Sequence, residues 1–279
     1  MLSSLYGLLS ALTWGAGDFT GGILSRRAGV YRAAFYGEFT GMFFLLIMLG
    51  FFREPLPGGS DWAWSAAAGA LGALGLLLLF RALAEGQMSV AAPVSALMAA
   101  SLPVVTGALT EGLPGPGKFV GFALALAAIW MISRADGHQK KVHLHLADLR
   151  WPLISGVCFG AYFILIHQGS RTATVWPMIA ARGAGSVVLF FFAAAKGQLR
   201  WPDRHVAPLV FLNAAGDIAG NTFYILSGQV GRLDVAAVIS SLYPGTTVLL
   251  AGLLLHERLN RSQRLGILAA LAAIVLMTV

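Results

Sequence analysis

Residues 234–259, DVAAVISSLYPGTTVLLAGLLLHERL, decide how the chain is read, because residues 89–114 repeat them at a constant offset of 145. Val90, Ala91 and Ala92 map onto Val235, Ala236 and Ala237, Ser95 onto Ser240, and Gly107 onto Gly252. The same offset carries Gly15 onto Gly160, Gly75 onto Gly220, Gly86 onto Gly231 and Gly121 onto Gly266. One unbroken offset over this length argues for two halves descended from one unit. In a hydrophobic chain such a repeat points to transporters, whose solute sites lie where two repeats meet.

The chain of 279 residues is 57% hydrophobic and only 11% charged, where soluble domains carry roughly 25% charged residues. With a mean hydropathy of +0.76, the expectation is an integral membrane protein. The net charge of +7 does not imply nucleic acid, because the basic residues lie in short loops between apolar segments and read as topology signals. Cys158 stands alone in an apolar segment, so neither a disulfide framework nor a thiolate metal site is expected. The first apolar stretch lacks a basic region before it and a small-residue cleavage pattern after it, and reads as a retained helix.

A span needs about 20 mostly apolar residues. Ten segments fit: 3–24, 33–52, 62–83, 89–109, 116–132, 151–169, 176–195, 206–227, 235–255 and 263–279. The expected organisation is a first half at 1–133, a polar linker at 134–150 and a second half at 151–279. His138, His143 and His145 in the linker lack the Cys partners and spacing of a metal site and read as a solvated connector. Fourteen Lys and Arg lie in loops after odd-numbered spans, and four, Arg53, Lys118, Arg171 and Arg232, on the other side. The positive-inside rule then places the linker in the cytoplasm and both termini outside. Pro93 and Pro103 in span four, and Pro244 in span nine, each free a backbone carbonyl. Such defects are tolerated where protein or a watery cavity satisfies them, so both spans are expected to face the interior.

The chain resembles the drug/metabolite transporter superfamily, specifically its ten-helix EamA type. The residues that carry the resemblance are FRALAEGQMSVAAPVSAL at 80–97, SSLYPGTTVLLA at 240–251, and the helix-end acids Glu111 and Glu257. What the resemblance implies is an all-α integral membrane protein: ten transmembrane helices in two inverted five-helix repeats around a central cavity. It further implies export or exchange of small metabolites across a cell membrane, the bacterial inner membrane being the expected location. The first half departs from the pattern, with Gly112-Leu113-Pro114 after Glu111 where Arg258-Leu259 follows Glu257.

Ionisable groups inside spans cost roughly 2.5–3.5 kcal/mol each at a helix centre and usually face a cavity or a partner. Asp18, Glu38, Arg182 and Asp217 qualify. Asn213 and Asn221 flank Asp217 at i−4 and i+4, which puts three polar groups on one helix face. The ladder reads as an interhelical seam or, preferred for its central carboxylate, as a cavity wall. Arg182 keeps its proton, so it either pairs with Asp217 or Glu38 or captures an anionic substrate group; the two are compatible. Asp18 follows Trp14 by one turn, placing an acid beside an aromatic surface.

Ser95, Ser240 and Ser241 lie beside the prolines and either bind solute or bond within their helices; Tyr243 needs a partner for its phenol. Glu111 and Glu257 read as caps or loop ion pairs, and Trp62, Trp64, Trp151, Trp176 and Trp201 as interfacial anchors.

The candidate binding set is Trp14, Asp18, Glu38, Ser95, Arg182, Asn213, Asp217, Asn221, Ser240 and Tyr243. An acid and an Arg together suit a zwitterion such as an amino acid; an exporter of cationic or aromatic compounds would use Trp14 and Asp18 without Arg182. A carboxylate in such a place also offers a coupling proton. No metalloprotease, nucleophile-elbow or Walker motif occurs, so no enzyme, cofactor or metal is expected, and a scaffold would leave the polar ladder without a purpose. Two five-span halves suffice for one cavity, and a monomer is expected.

Overall fold

In the computed structural model, residues 1–51, 54–85, 88–133, 150–200, 203–255 and 259–278 are described, the side chains of 80–85, 88–93 and 278 excepted. Glu257, the linker histidines, Pro93 and the first part of the 80–97 motif lie outside these residues or side chains.

Eleven α-helices occur among the described residues: α1 (Leu2–Ala28), α2 (Val30–Phe51), α3 (Gly59–Glu85), α4 (Met88–Thr110), α5 (Pro116–Ser133), α6 (Arg150–Gly169), α7 (Val175–Ala195), α8 (Ala207–Gln229), α9 (Leu233–Ser240), α10 (Tyr243–Leu254) and α11 (Arg261–Thr278). A 3-10 turn, Arg204–Val206, leads into α8. Helices are the expected solution for an apolar chain, because each satisfies its own backbone where no water is at hand. Among the described residues, six stretches are long and apolar enough to cross a membrane: Val30–Phe51, Gly59–Leu79, Arg150–Gly169, Val175–Ala195, Arg204–Gln229 and Leu233–Leu254. Shorter apolar helices run over Val94–Thr110 and Pro116–Ile132.

Each apolar segment of the sequence becomes one helix, except the ninth. There the chain breaks at Ser241-Leu242 and restarts at Tyr243, with Pro244 in the first turn of α10. Proline in a first turn forfeits no hydrogen bond, since that N–H has no intrahelical acceptor. A continuous span through Pro244 is thus replaced by two helices, and all eight residues of α9 are buried. The interior position expected for span nine is taken by α9, which packs on α4, whereas α10 buries only Gly245.

The main pairings are α1 with α8, α3 with both α6 and α7, α5 with α11, α2 with α7, and α4 with both α6 and α9. The 145-residue offset turns the α1–α8 pairing into the α3–α6 pairing and returns α2–α7 and α5–α11 to themselves. The α1–α8 seam is set by glycine: a Cβ on Gly216 would lie 2.8 Å from Gly17 Cα and 2.9 Å from the Thr13 carbonyl oxygen. Small residues permit this backbone approach, as elsewhere in membrane bundles. Gly29, with φ 89°, turns α1 into α2 within one residue. Its N–H donates to the Ser25 carbonyl at 3.0 Å.

Gly216→Val is expected to destabilise the protein by at least about 1–3 kcal/mol by overpacking the seam. Gly22→Ala, where an added Cβ meets nothing within 4 Å, is expected to be neutral or slightly stabilising. Thermal unfolding in detergent compares the two.

Candidate functional site

Glycines aim the polar side chains. On α1, Gly15 lies against α10, where Thr247 Oγ1 donates to the Gly15 carbonyl at 3.0 Å, and Gly17 lies against α8. Fixed on these sides, α1 turns Trp14 and Asp18 into a cavity of about 270 Å³, close to the lower end of the ~300–1,000 Å³ typical of small-molecule sites. α2 contributes Glu38, α4 Ser95, α6 Tyr162 and Phe163, α7 Met178 and Arg182, α8 Asp217 and Asn221, and the break in span nine Ser241 and Tyr243.

Arg182 bridges two acids. One guanidinium nitrogen donates to Glu38 Oε2 and another pairs with Asp217 Oδ2. Asp217 Oδ1 accepts from Asn221 Nδ2 at 3.2 Å, and the Asn221 side-chain oxygen accepts from the Tyr162 hydroxyl. One polar chain therefore ties α2, α7, α8 and α6 together across the cavity. With a side chain only 9% exposed, Arg182 needs both carboxylates, because an unpaired buried charge carries a desolvation penalty of several kcal/mol.

Asp18 is different. No hydrogen bond or ion pair holds its carboxylate among the described residues, and it is open to the space of the cavity. Beside it stands an aromatic wall. The Trp14 ring lies 5.7 Å from Phe163, 5.8 Å from Tyr224 and, edge-on, 6.4 Å from Tyr243. Tyr224 is pinned by its hydroxyl, which donates to the Phe163 carbonyl at 3.0 Å. The cavity wall thus holds Asp18, Glu38 and Asp217 against Arg182, an excess of acid when all are ionised.

The cavity wall includes eight of the ten residues expected from the sequence; Asn213 and Ser240 are elsewhere. Asn213 donates from Nδ2 to the Gly17 carbonyl at 2.9 Å and fills the space left by Gly21 and Gly37, so this rung of the ladder joins α8 to α1 and α2. Ser240 is wholly buried in α9, and the break one residue later brings Ser241 to the cavity in its place. Tyr162, Phe163 and Met178 were missed. An aromatic or Met within an apolar span looks the same whether it faces lipid, core or cavity.

The walls run from mid-bundle toward the basic loops, reaching Leu79 on α3 and Leu189 on α7. Polar ties gather at the opposite end. Arg232 Nη2 donates to Asp234 Oδ2 and to the Gly112 carbonyl, both at 2.7 Å, and Nη1 to the Glu111 carbonyl at 3.1 Å. The Glu111 carboxylate accepts from Leu233 N at 3.2 Å, which is the capping role expected of it. Gln229 Nε2 donates to the Ser170 carbonyl at 2.5 Å. Glu54 Oε2 accepts from the Thr174 and Val175 amides at 2.9 and 2.8 Å, capping α7.

Arg182→Met is expected to cost about 3–5 kcal/mol, because it leaves two acids facing each other without their cation. Glu38→Gln and Asp217→Asn added to it are expected to recover most of that loss. Chemical denaturation in detergent measures both.

Comparison with known proteins agrees with this architecture. The EamA-like transporter family matches residues 1–134 and 149–279. A solved structure titled "Crystal structure of protein" is similar over 99% of this chain and 96% of its own, with a TM-score of 0.78 at 17% identity, a likeness of fold. No curated protein matches.

Proposed function

Since the chain belongs to the EamA-like transporter family, a multi-pass membrane family of the drug/metabolite transporter type, we propose that it is a secondary transporter for small organic cations, above all aromatic amines. The observation that carries this reading is the free Asp18 carboxylate one turn from Trp14, in a cavity whose Arg182 is already bridged by Glu38 and Asp217. An ammonium there meets a carboxylate and aromatic faces together, and desolvated cation–π contacts are worth up to about 2 kcal/mol. The zwitterion that an acid and Arg182 together suggest has to displace Glu38 or Asp217 from the guanidinium. That makes amino acids the second reading, and the presence of Arg182 in the wall is what favours it.

In this reading ten spans form two inverted halves, divided at 134–150, and the exchange of helix pairings under the 145-residue offset supports them. The solute enters from the basic, cytoplasmic end. Release to the other side breaks the ties of Arg232, Gln229 and Glu54 while the basic end closes, and net movement is export from the cell. A proton on Asp18 competes with the ammonium and couples the two fluxes. One chain encloses one cavity, so the working unit is a monomer in the cell membrane. An ATP-driven cycle would need a separate ATPase.

Counterflow into proteoliposomes preloaded with unlabelled compound tests this with labelled phenylethylamine, a set of amino acids, and recovery of the compound unchanged. Wild type is expected to exchange the amine saturably. Asp18→Asn is expected to lose at least about tenfold in that exchange, given ~2 kcal/mol for the lost charge pair. Exchange of amino acids with none of the amine would shift the reading to the zwitterion. Absence of any flux would remove the transport of these solutes, and a chemically altered compound would point to an enzyme.

A further inference from the structure

A second cleft lies on the outside of the bundle, between α2 and α8, away from the central cavity. Its volume is about 270 Å³, and Tyr36, Phe39, Thr40 and Phe43 face Ala207, Val210 and Phe211 across it. The spacing is that of one helix stripe on each wall, i, i+3, i+4 and i+7 on α2 and i, i+3 and i+4 on α8. Seven residues of helix are about 10 Å long, so the cleft is a slot the length of part of an acyl chain. Its rim is apolar and open: Phe39 is 53% exposed, Phe43 58% and Phe211 50%.

The slot begins at the basic end. The Tyr36 hydroxyl donates to the Leu199 carbonyl at 2.6 Å, which fastens the slot to the connection between α7 and α8. That connection, residues 196–206, carries Lys196, Arg200, Arg204 and His205 against Asp203 alone, and Arg26, Arg27 and Arg32 lie at the neighbouring α1–α2 corner. Arg32 stands one turn before Tyr36 on α2. Arg204 opens the 3-10 turn that ends one residue before Ala207. Leu24, Ala33, Tyr36, Val206 and Val210 pack as one cluster, which brings both sets of cations to the same mouth.

We propose that this cleft binds an anionic glycerophospholipid of the surrounding bilayer, with the headgroup phosphate at Arg32 and Arg204 and one acyl chain between α2 and α8. An apolar slot alone takes any lipid; the cluster of cations at its mouth selects the anionic ones. The inference needs only that the protein lies in a membrane, and it is independent of what the central cavity carries.

Titration of the delipidated protein in neutral detergent, read by native mass spectrometry, tests it with dioleoylphosphatidylglycerol, dioleoylphosphatidylcholine and glycerol 3-phosphate. One phosphatidylglycerol per chain is expected to bind saturably and at least about tenfold more tightly than phosphatidylcholine, with no retention of glycerol 3-phosphate. At the strength of a juxtamembrane basic residue for anionic lipid, Arg32→Gln with Arg204→Gln removes about thirtyfold of the phosphatidylglycerol affinity and weakens phosphatidylcholine, whose phosphate is offset by its own ammonium, by much less. Ala207→Phe, which fills the slot, weakens both lipids; if it does not fold, the charge pair alone decides. Equal binding of the two lipids, indifference to the Arg substitutions, or equal retention of glycerol 3-phosphate would each overturn the proposal.

Discussion

Arg182 lies mid-helix among apolar segments and holds its proton in any surroundings a protein offers, so the helices around it have to supply negative charge. α2 does so with Glu38 and α8 with Asp217. The pairing fixes more than one side chain. Because Asp217 also accepts from Asn221, and Asn221 from Tyr162, the requirement of a single guanidinium sets the mutual rotation of four helices about one cavity. The same satisfaction makes Arg182 an unready ligand. What it leaves over is Asp18, the acid of the cavity wall that no cation claims among the described residues, and from that remainder the proposed preference for an ammonium follows.

Charge decides which groups meet; glycine decides how closely. Gly17 and Gly216 let α1 and α8 touch backbone to backbone, and Gly220 makes room for the Trp14 indole. Without that clearance Trp14 would be displaced from the ring cluster it shares with Phe163 and Tyr224. The break at Ser241-Leu242 adds a third element, because it puts a hydroxyl and a phenol where a continuous helix would have kept them within its own packing. Close seams with a discontinuous span between them suit two alternative packings, as the proposed transport cycle requires.

Much of this is legible in the sequence, for identifiable reasons. Apolar length marks the spans, since a bilayer imposes it. Asp18, Glu38, Arg182 and Asp217 mark the cavity, since a charged group within a span needs a cavity or a partner. The order α1 against α8 was not legible, because pairing depends on glycine faces whose partners lie some 200 residues away. Asn213 and Ser240 show the same limit on a smaller scale. A four-residue step keeps two groups on one face, yet a helix crossed by a glycine seam presents that face to two different neighbours. Tyr162 and Phe163 carry no charge to betray them, and only the packing of α6 on α3 and α4 places them in the wall.

The measurement that bears most directly on this account is a structure of the protein with a transported aromatic amine bound. The account predicts the ammonium within hydrogen-bond distance of Asp18 against Trp14, with Arg182 still bridging Glu38 and Asp217. A ligand carboxylate seated on Arg182, with the bridge opened and Asp18 untouched, would contradict it.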